Sequence, residues 1–175
     1  MRWMLLAGLS ASWPNCATAD NCLFLSQSTH TVQVAEATDL WTWVTDKMEI
    51  DVEGKPPWIC AVPEEILVSL RYGSDVSVPP AVGIEALYDS ASRHVLVSDT
   101  WKGLDPASLS VLVHEFVHHA HAVTGRRFAC AEHGEKEAYA VQAVWLKQWN
   151  LDLQTAIGID DFTLLVLTTC SYYWF

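Results

Sequence analysis

The chain has few cationic residues. Lysine and arginine number 10, against 21 aspartates and glutamates, and the formal net charge is −11. Nucleic acids and anionic membrane surfaces are bound by clustered positive charge, which these scattered lysines and arginines do not provide. We therefore expect neither nucleic acid nor a membrane among the partners of the mature protein.

Long apolar runs are also missing. No run reaches the roughly 18 residues that a membrane-spanning helix needs. Hydrophobic residues nevertheless make up 51% of the 175 positions, enough to bury a sizeable core and to argue against disorder. Because no repeat or linker divides a chain of this length, we predict one domain over residues 20–175.

The N-terminal segment, residues 1–19, has the composition of a secretory signal peptide. Arg2 supplies the positive charge, and residues 3–13 form the apolar stretch. Ala17 and Ala19 then fit the rule for signal-peptide cleavage, which would leave Asp20 as the first mature residue. We expect a secreted or periplasmic protein.

The cysteines show no Cys-x-x-Cys spacing, which disfavours a cysteine-based metal site. Cys16 would leave with the signal peptide, and four cysteines would remain: Cys22, Cys60, Cys130 and Cys170. An even number in an exported chain predicts two disulfides, and three pairings are possible.

The spacing of apolar residues predicts a mostly helical chain with one small β-hairpin. Two β-prone runs, 84–88 and 94–98, flank a polar turn. Helices are predicted over 31–49, from Pro63, from Asp105 to a stop at Gly125, over 134–149, and from 160 or 161. The predicted fold class is α+β, with the hairpin next to the helix that begins after Asp105.

That helix carries the pattern His114-Glu115-x-x-His118. Residues four apart share one helix face, so the two imidazoles can bind the same metal ion. Glu115 is turned by about 100° and can act on a water molecule beside the metal without being a ligand. Burying three such groups in an apolar helix without a partner would be costly. We therefore predict one Zn²⁺ held by both histidines, with Glu115 as the general base.

The pattern, followed by a glutamate on the next helix, resembles the gluzincin branch of the zincin metallopeptidases. The resemblance covers residues 84–149. It implies a compact α+β domain that hydrolyses peptides or proteins with a zinc-activated water. It also implies that an extended substrate adds beside a strand upstream of the motif, the place that 94–98 occupies.

The resemblance offers more than one third ligand. The run Glu137-Ala138-Tyr139-Ala140 is similar to the stretch around the ligand in the aminopeptidase branch, whereas Glu135 half-fits another branch. Glu137 is followed on its helix face by the apolar positions 140, 141 and 144, and a ligand must face the core helix, so Glu137 is favoured over Glu135. Glu132 comes third.

Other functions and roles stay open at this point. A non-catalytic zinc-binding module or degenerate peptidase is one alternative, and a zinc amidase of another class is a second. The amidase class would use a cysteine in a Gly-Cys motif, which the surroundings of Cys60 do not match. By analogy, His133 or Tyr139 could supply a proton to the reaction. His119 is expected at the surface or in support of a ligand, and His121 is too far from His114 to share its ion.

Overall fold

The computed structural model describes Cys22 and residues 30–52, 54–73 and 84–170. The predicted signal peptide lies outside the described residues. The described residues form ten elements, with these bounds: β1 His30–Thr31, α1 Ala37–Lys47, β2 Ile59–Val62, α2 Glu64–Tyr72, β3 Ala86–Asp89, β4 His94–Ser98, α3 Pro106–Thr124, α4 Ala131–Lys147, α5 Leu153–Ile157 and α6 Asp161–Thr168. The α+β fold class, the β3–β4 hairpin and the presence of the predicted helices are confirmed. The first helix begins at Ala37 rather than at residue 31, because Thr31 pairs with Cys60 in the sheet.

The four strands form one sheet in the order β1-β2-β4-β3. β2 runs parallel to β4, and the other two pairs are antiparallel. The sequence analysis did not predict β2, because its four residues are all buried and therefore show no alternation of apolar and polar positions.

Each face of the sheet packs against helices. Ile59 and Val97 belong to the larger core cluster, which also contains buried residues of α1, α3 and α4. On the opposite face, Leu96 packs in a smaller cluster with Leu67 of α2. The sheet and α4 thus enclose α3, which carries the His-Glu-x-x-His pattern.

Local signals fix both ends of α3. The Asp105 carboxylate accepts a hydrogen bond from the Ser108 backbone N–H at 3.0 Å, and Pro106 follows as the first helical residue. Gly125 ends the helix in the left-handed conformation, with φ of 66°. The buried side chains on several sides of the helix include Leu112, Val113, Phe116 and Val117. These contacts hold the helix axis in place around the motif.

Two disulfides are present, as predicted. One joins Cys22 to Cys60 and the other joins Cys130 to Cys170. The second bridge ties Cys170, two residues beyond the end of α6, to the N-cap of α4. In the described part of the chain, no helix is both long and apolar enough to cross a membrane.

Candidate metal centre

α3 presents two imidazoles on one face. The ring centroids of His114 and His118 are 4.9 Å apart, and their Nε2 atoms are separated by 3.2 Å. His114 is 7% exposed, so its nitrogens have almost no contact with solvent. The helical spacing therefore brings the two Nε2 atoms together as predicted.

α4 adds one carboxylate oxygen to this pair. Oε2 of Glu135 lies 3.0 Å from Nε2 of His114 and 3.4 Å from Nε2 of His118. A tetrahedral zinc site with bonds of about 2.0–2.2 Å places its ligand atoms about 3.3–3.6 Å apart. The three donor atoms already have nearly this spacing, and two nitrogens with one carboxylate oxygen are ligands that Zn²⁺ prefers. The residues present therefore fit a zinc ion.

Glu137, the favoured third ligand, is not in this group. Its Oε2 lies 2.9 Å from Nε2 of His121, and its Oε1 accepts a hydrogen bond from Arg126 at 2.8 Å. Side chains at positions i and i+2 of a helix point in directions about 200° apart around its axis. Glu135 and Glu137 therefore cannot both face the two histidines. The geometry replaces Glu137 with Glu135 as the candidate ligand and gives the buried His121 a partner of its own.

The other nitrogen of His114 is also engaged. Nδ1 lies 3.1 Å from Oε1 of Gln142, and Nε2 of Gln142 donates to the Ser110 hydroxyl at 3.0 Å. That hydroxyl donates in turn to the backbone carbonyl of Ala107 at 2.7 Å. Because a carbonyl can only accept, the whole chain has one direction, and Nδ1 of His114 carries the hydrogen. The lone pair of its Nε2 therefore points toward Glu135.

The charges of the group depend on one another. Burial by itself would raise the pKa of Glu135, but its close contacts with the His114 and His118 imidazoles outweigh burial and hold that pKa well below its usual range. Burial would lower the pKa of His118, whereas its hydrogen bond to Glu135 and the charge of Glu115 raise it above the usual value. An ionised carboxylate that faces two imidazole nitrogens calls for a positive charge between them, either a proton or a metal ion.

Glu115 lies beside the group and is 7% exposed. Within the described residues, no hydrogen bond or ion pair holds its carboxylate. Its negative charge is felt by both His118 and Tyr139, whose pKa values it raises. A carboxylate that is nearly enclosed and not engaged by a donor is available to accept a proton.

Tyr139 and Arg71 complete the surroundings. The Tyr139 ring packs 4.4 Å from the His114 ring, and burial, followed by the charges of Glu135 and Glu115, raises the pKa of its hydroxyl. This hydroxyl is therefore a hydrogen-bond donor at neutral pH. Arg71, near the end of α2, places Nη1 4.0 Å from Oε1 of Glu135, the oxygen that does not face the histidines.

The sequence analysis named Tyr139 only as a possible proton donor and missed Gln142 and Arg71 as parts of the site. A usable signal was the spacing Glu135, Tyr139, Gln142, which is i, i+4, i+7 on one helix face. Arg71 comes from another element, and its approach to Glu135 depends on how α2 packs.

Several other candidates lie away from this centre. His133 lines an open depression of about 470 Å³ with Arg126, Phe128 and Lys136. His119 is buried on another side of α3, where its Nδ1 lies 3.1 Å from the Tyr88 hydroxyl. A second group of possible ligands contains His133 with Cys130 and Cys170, but both sulfurs are joined in a disulfide.

The strand expected to receive a substrate is not open. β4, residues His94–Ser98, has β2 on one side and β3 on the other. β3 is one of the two edge strands of the described sheet, and β1 is the other. Ser98 N–H donates to the Glu85 carbonyl, so by the antiparallel register the backbone groups of Ala86 and Tyr88 point away from β4. The open edge nearest the motif helix is therefore one strand further out than predicted.

Fold and site together define an α+β domain with a candidate His-His-Glu metal centre. The chain belongs to a family described as a domain of unknown function (DUF6647), whose model matches residues 13–172. No curated protein and no solved structure matches the chain.

Proposed function

We propose that this protein is a zinc-dependent metallopeptidase. The observation that carries the proposal is the convergence of Nε2 of His114, Nε2 of His118 and Oε2 of Glu135 beside the unengaged carboxylate of Glu115. Two histidines and a carboxylate leave one coordination position of zinc open, which is typical of catalytic rather than structural sites. This arrangement supports hydrolysis over a purely structural role for the ion.

The roles of the residues follow from their positions. His114, His118 and Glu135 would hold the zinc ion, which supplies Lewis acidity when bound. Glu115 takes a proton from a water molecule in the cleft and returns it to the leaving nitrogen. The Tyr139 hydroxyl, which stays protonated at neutral pH, donates a hydrogen bond to the oxygen of the scissile carbonyl.

The substrate is proposed to be a peptide in extended conformation. Among the described residues, no strand pairs with the outward-facing backbone groups of Ala86 and Tyr88 on β3, and these groups offer hydrogen bonds to an added strand. β3 packs on α3, and the Tyr88 hydroxyl contacts His119, one helical turn after Glu115. An added strand would thus run close to the general base.

We further infer that the protein is exported. Two disulfides are typical of oxidising compartments, and the N-terminal segment has the features of a signal peptide. Intact-mass analysis of exported material should give a chain that begins at Asp20.

The test combines metal analysis with cleavage of a quenched fluorescent peptide library. The purified wild type should contain one zinc ion per chain and cleave part of the library, and Glu115→Gln should keep the zinc and lose cleavage. Zinc without any cleavage would favour the non-catalytic module. Absence of bound zinc after reconstitution would overturn the proposal.

A further inference from the structure

The helix that supplies Glu135 also supplies a buried amide against His114. Gln142 is 1% exposed, and Ser110 is fully buried. A buried amide that makes hydrogen bonds at both ends favours one geometry, because any other arrangement would leave a buried polar group unsatisfied. Nothing in the proposed hydrolysis step uses Gln142 directly.

The direction of the hydrogen bonds gives Gln142 a defined task. The Ser110 hydroxyl donates to the Ala107 carbonyl and must therefore accept from Nε2 of Gln142. The amide is thereby oriented so that its Oε1 accepts from Nδ1 of His114. With Nδ1 protonated, only Nε2 of His114 is free to act as a ligand. These hydrogen bonds also fix the rotation of the imidazole ring about its Cβ–Cγ bond.

Gln142, the hydrogen-bond partner of His114 Nδ1, carries no charge. Ligand histidines are commonly held by a carboxylate, a backbone carbonyl or water, and such partners raise the basicity of the ligand. An amide oxygen is a weaker acceptor than a carboxylate because it carries no net charge. Binding of zinc at His114 is therefore oriented by Gln142 but not strengthened by a second negative charge.

We propose that Gln142 is the positioning residue of the metal centre: it selects the Nε2 lone pair of His114 for the metal and, being neutral, sets a zinc affinity below that of a carboxylate partner. This inference rests on the proposed metal site. One face of α4 would then have two roles. Glu135 would be a ligand, and Gln142 would orient His114, a ligand that α3 supplies.

The experiment measures the zinc affinity of the purified protein, expressed from its full sequence, by competition with a chromophoric chelator at one pH. Gln142→Leu should weaken zinc binding about 10–100-fold, the usual effect of losing such a partner. Gln142→Glu should bind zinc more tightly than the wild type, because a carboxylate still accepts from Nδ1 and adds a negative charge. Gln148→Leu, at the exposed end of the same helix, is the matched control and should leave the affinity unchanged.

A second readout separates positioning from general damage. In ¹H–¹⁵N spectra of the zinc-loaded protein, the Nδ1 hydrogen of His114 should exchange slowly with solvent in the wild type and at least tenfold faster in Gln142→Leu. Unchanged exchange, or equal loss of zinc affinity in Gln142→Leu and Gln142→Glu, would overturn the positioning role. If the wild type itself bound no zinc, the proposed metal site would fail instead, so the two failures are distinguishable.

Discussion

Glu135 and Glu137 stand two residues apart on α4 and face different histidines. Glu135 reaches His114 and His118, whereas Glu137 reaches His121 and is held by Arg126. The two carboxylates are alike in chemistry and differ only in direction, so paired substitutions separate the ligand from its neighbour.

Glu135→Gln should reduce zinc affinity, because it replaces a charged ligand with a weak one, and activity should fall with zinc content. Glu137→Gln should keep one zinc ion per chain. It should lower the free energy of unfolding by about 1–3 kcal/mol, since His121 is buried and would lose its charged partner. Zinc content after dialysis against a weak chelator, with urea unfolding of both variants, is the measurement. Loss of zinc from Glu137→Gln alone would reverse the assignment.

The sequence was sufficient to predict α3 and the placement of His114 and His118 on one of its faces. Capping residues, helical spacing and apolar composition all agree in this segment. The structure brings Glu135 and not the favoured Glu137 to the two histidines, and the reason is physical. The apolar positions after Glu137 were taken to mark the face toward the core, yet Ala140 is exposed, and the face toward His114 carries Tyr139 and Gln142. Polar residues that serve a site interrupt the apolar pattern that would otherwise mark a buried face.

Three elements were missed for related reasons. β1 has only two residues, and Thr31 was placed in the predicted helix 31–49. β2 is too short and too uniformly apolar to show a period. α5 has only five residues, although the Asp152–Thr155 capping box and Gly158 mark its ends. Sheet order was also beyond the sequence, because the parallel pairing of β2 with β4 joins segments separated by α2 and by β3.

Glu115→Gln should separate catalysis from metal binding. The amide cannot accept a proton, so cleavage of a peptide that the wild type hydrolyses should fall by about 10²–10⁴-fold. Zinc content should stay at one ion per chain, because Glu115 is not among the three ligand atoms. Glu132→Gln, in the first turn of α4, is the control and should retain activity. Full activity of Glu115→Gln would contradict the mechanism.

The metal-free protein should show a distinctive pH dependence. The pKa of Glu135 is lowered, so its contribution to stability is present above about pH 4.3 and is lost as the pH falls through the folded pKa. The pKa of His118 is raised, so its contribution is complete below about pH 6.5 and is lost as the pH rises through the folded pKa. The pair therefore stabilises the metal-free protein most between these two values.

We expect the difference in Tm between the chelator-treated wild type and Glu135→Gln to be larger at pH 5.5 than at pH 8. Taking the difference between the two proteins removes the contribution of His119, whose pKa burial lowers to about 4. With zinc bound, the difference should instead be larger at pH 8, where protons no longer compete for the ligands. Equal differences at both pH values without metal would contradict the coupling of His118 to Glu135.

The two disulfides should have similar effects on stability and different effects on the metal centre. Their sequence separations are 38 and 40 residues, so chain entropy assigns each about 2–4 kcal/mol. Cys60 lies in β2 and belongs to the cluster on the sheet face opposite α3, whereas Cys130 begins α4 five residues before Glu135. Removing the Cys130–Cys170 bridge by paired serine substitutions should therefore lower zinc affinity as well as stability, because the first turns of α4 lose their anchor.

The paired substitution of Cys22 and Cys60 should lower stability by a similar amount and change zinc affinity less. Urea unfolding of the metal-free variants and chelator competition measure the two effects separately, and equal losses of zinc affinity would show that the bridge at α4 has no particular part in holding Glu135.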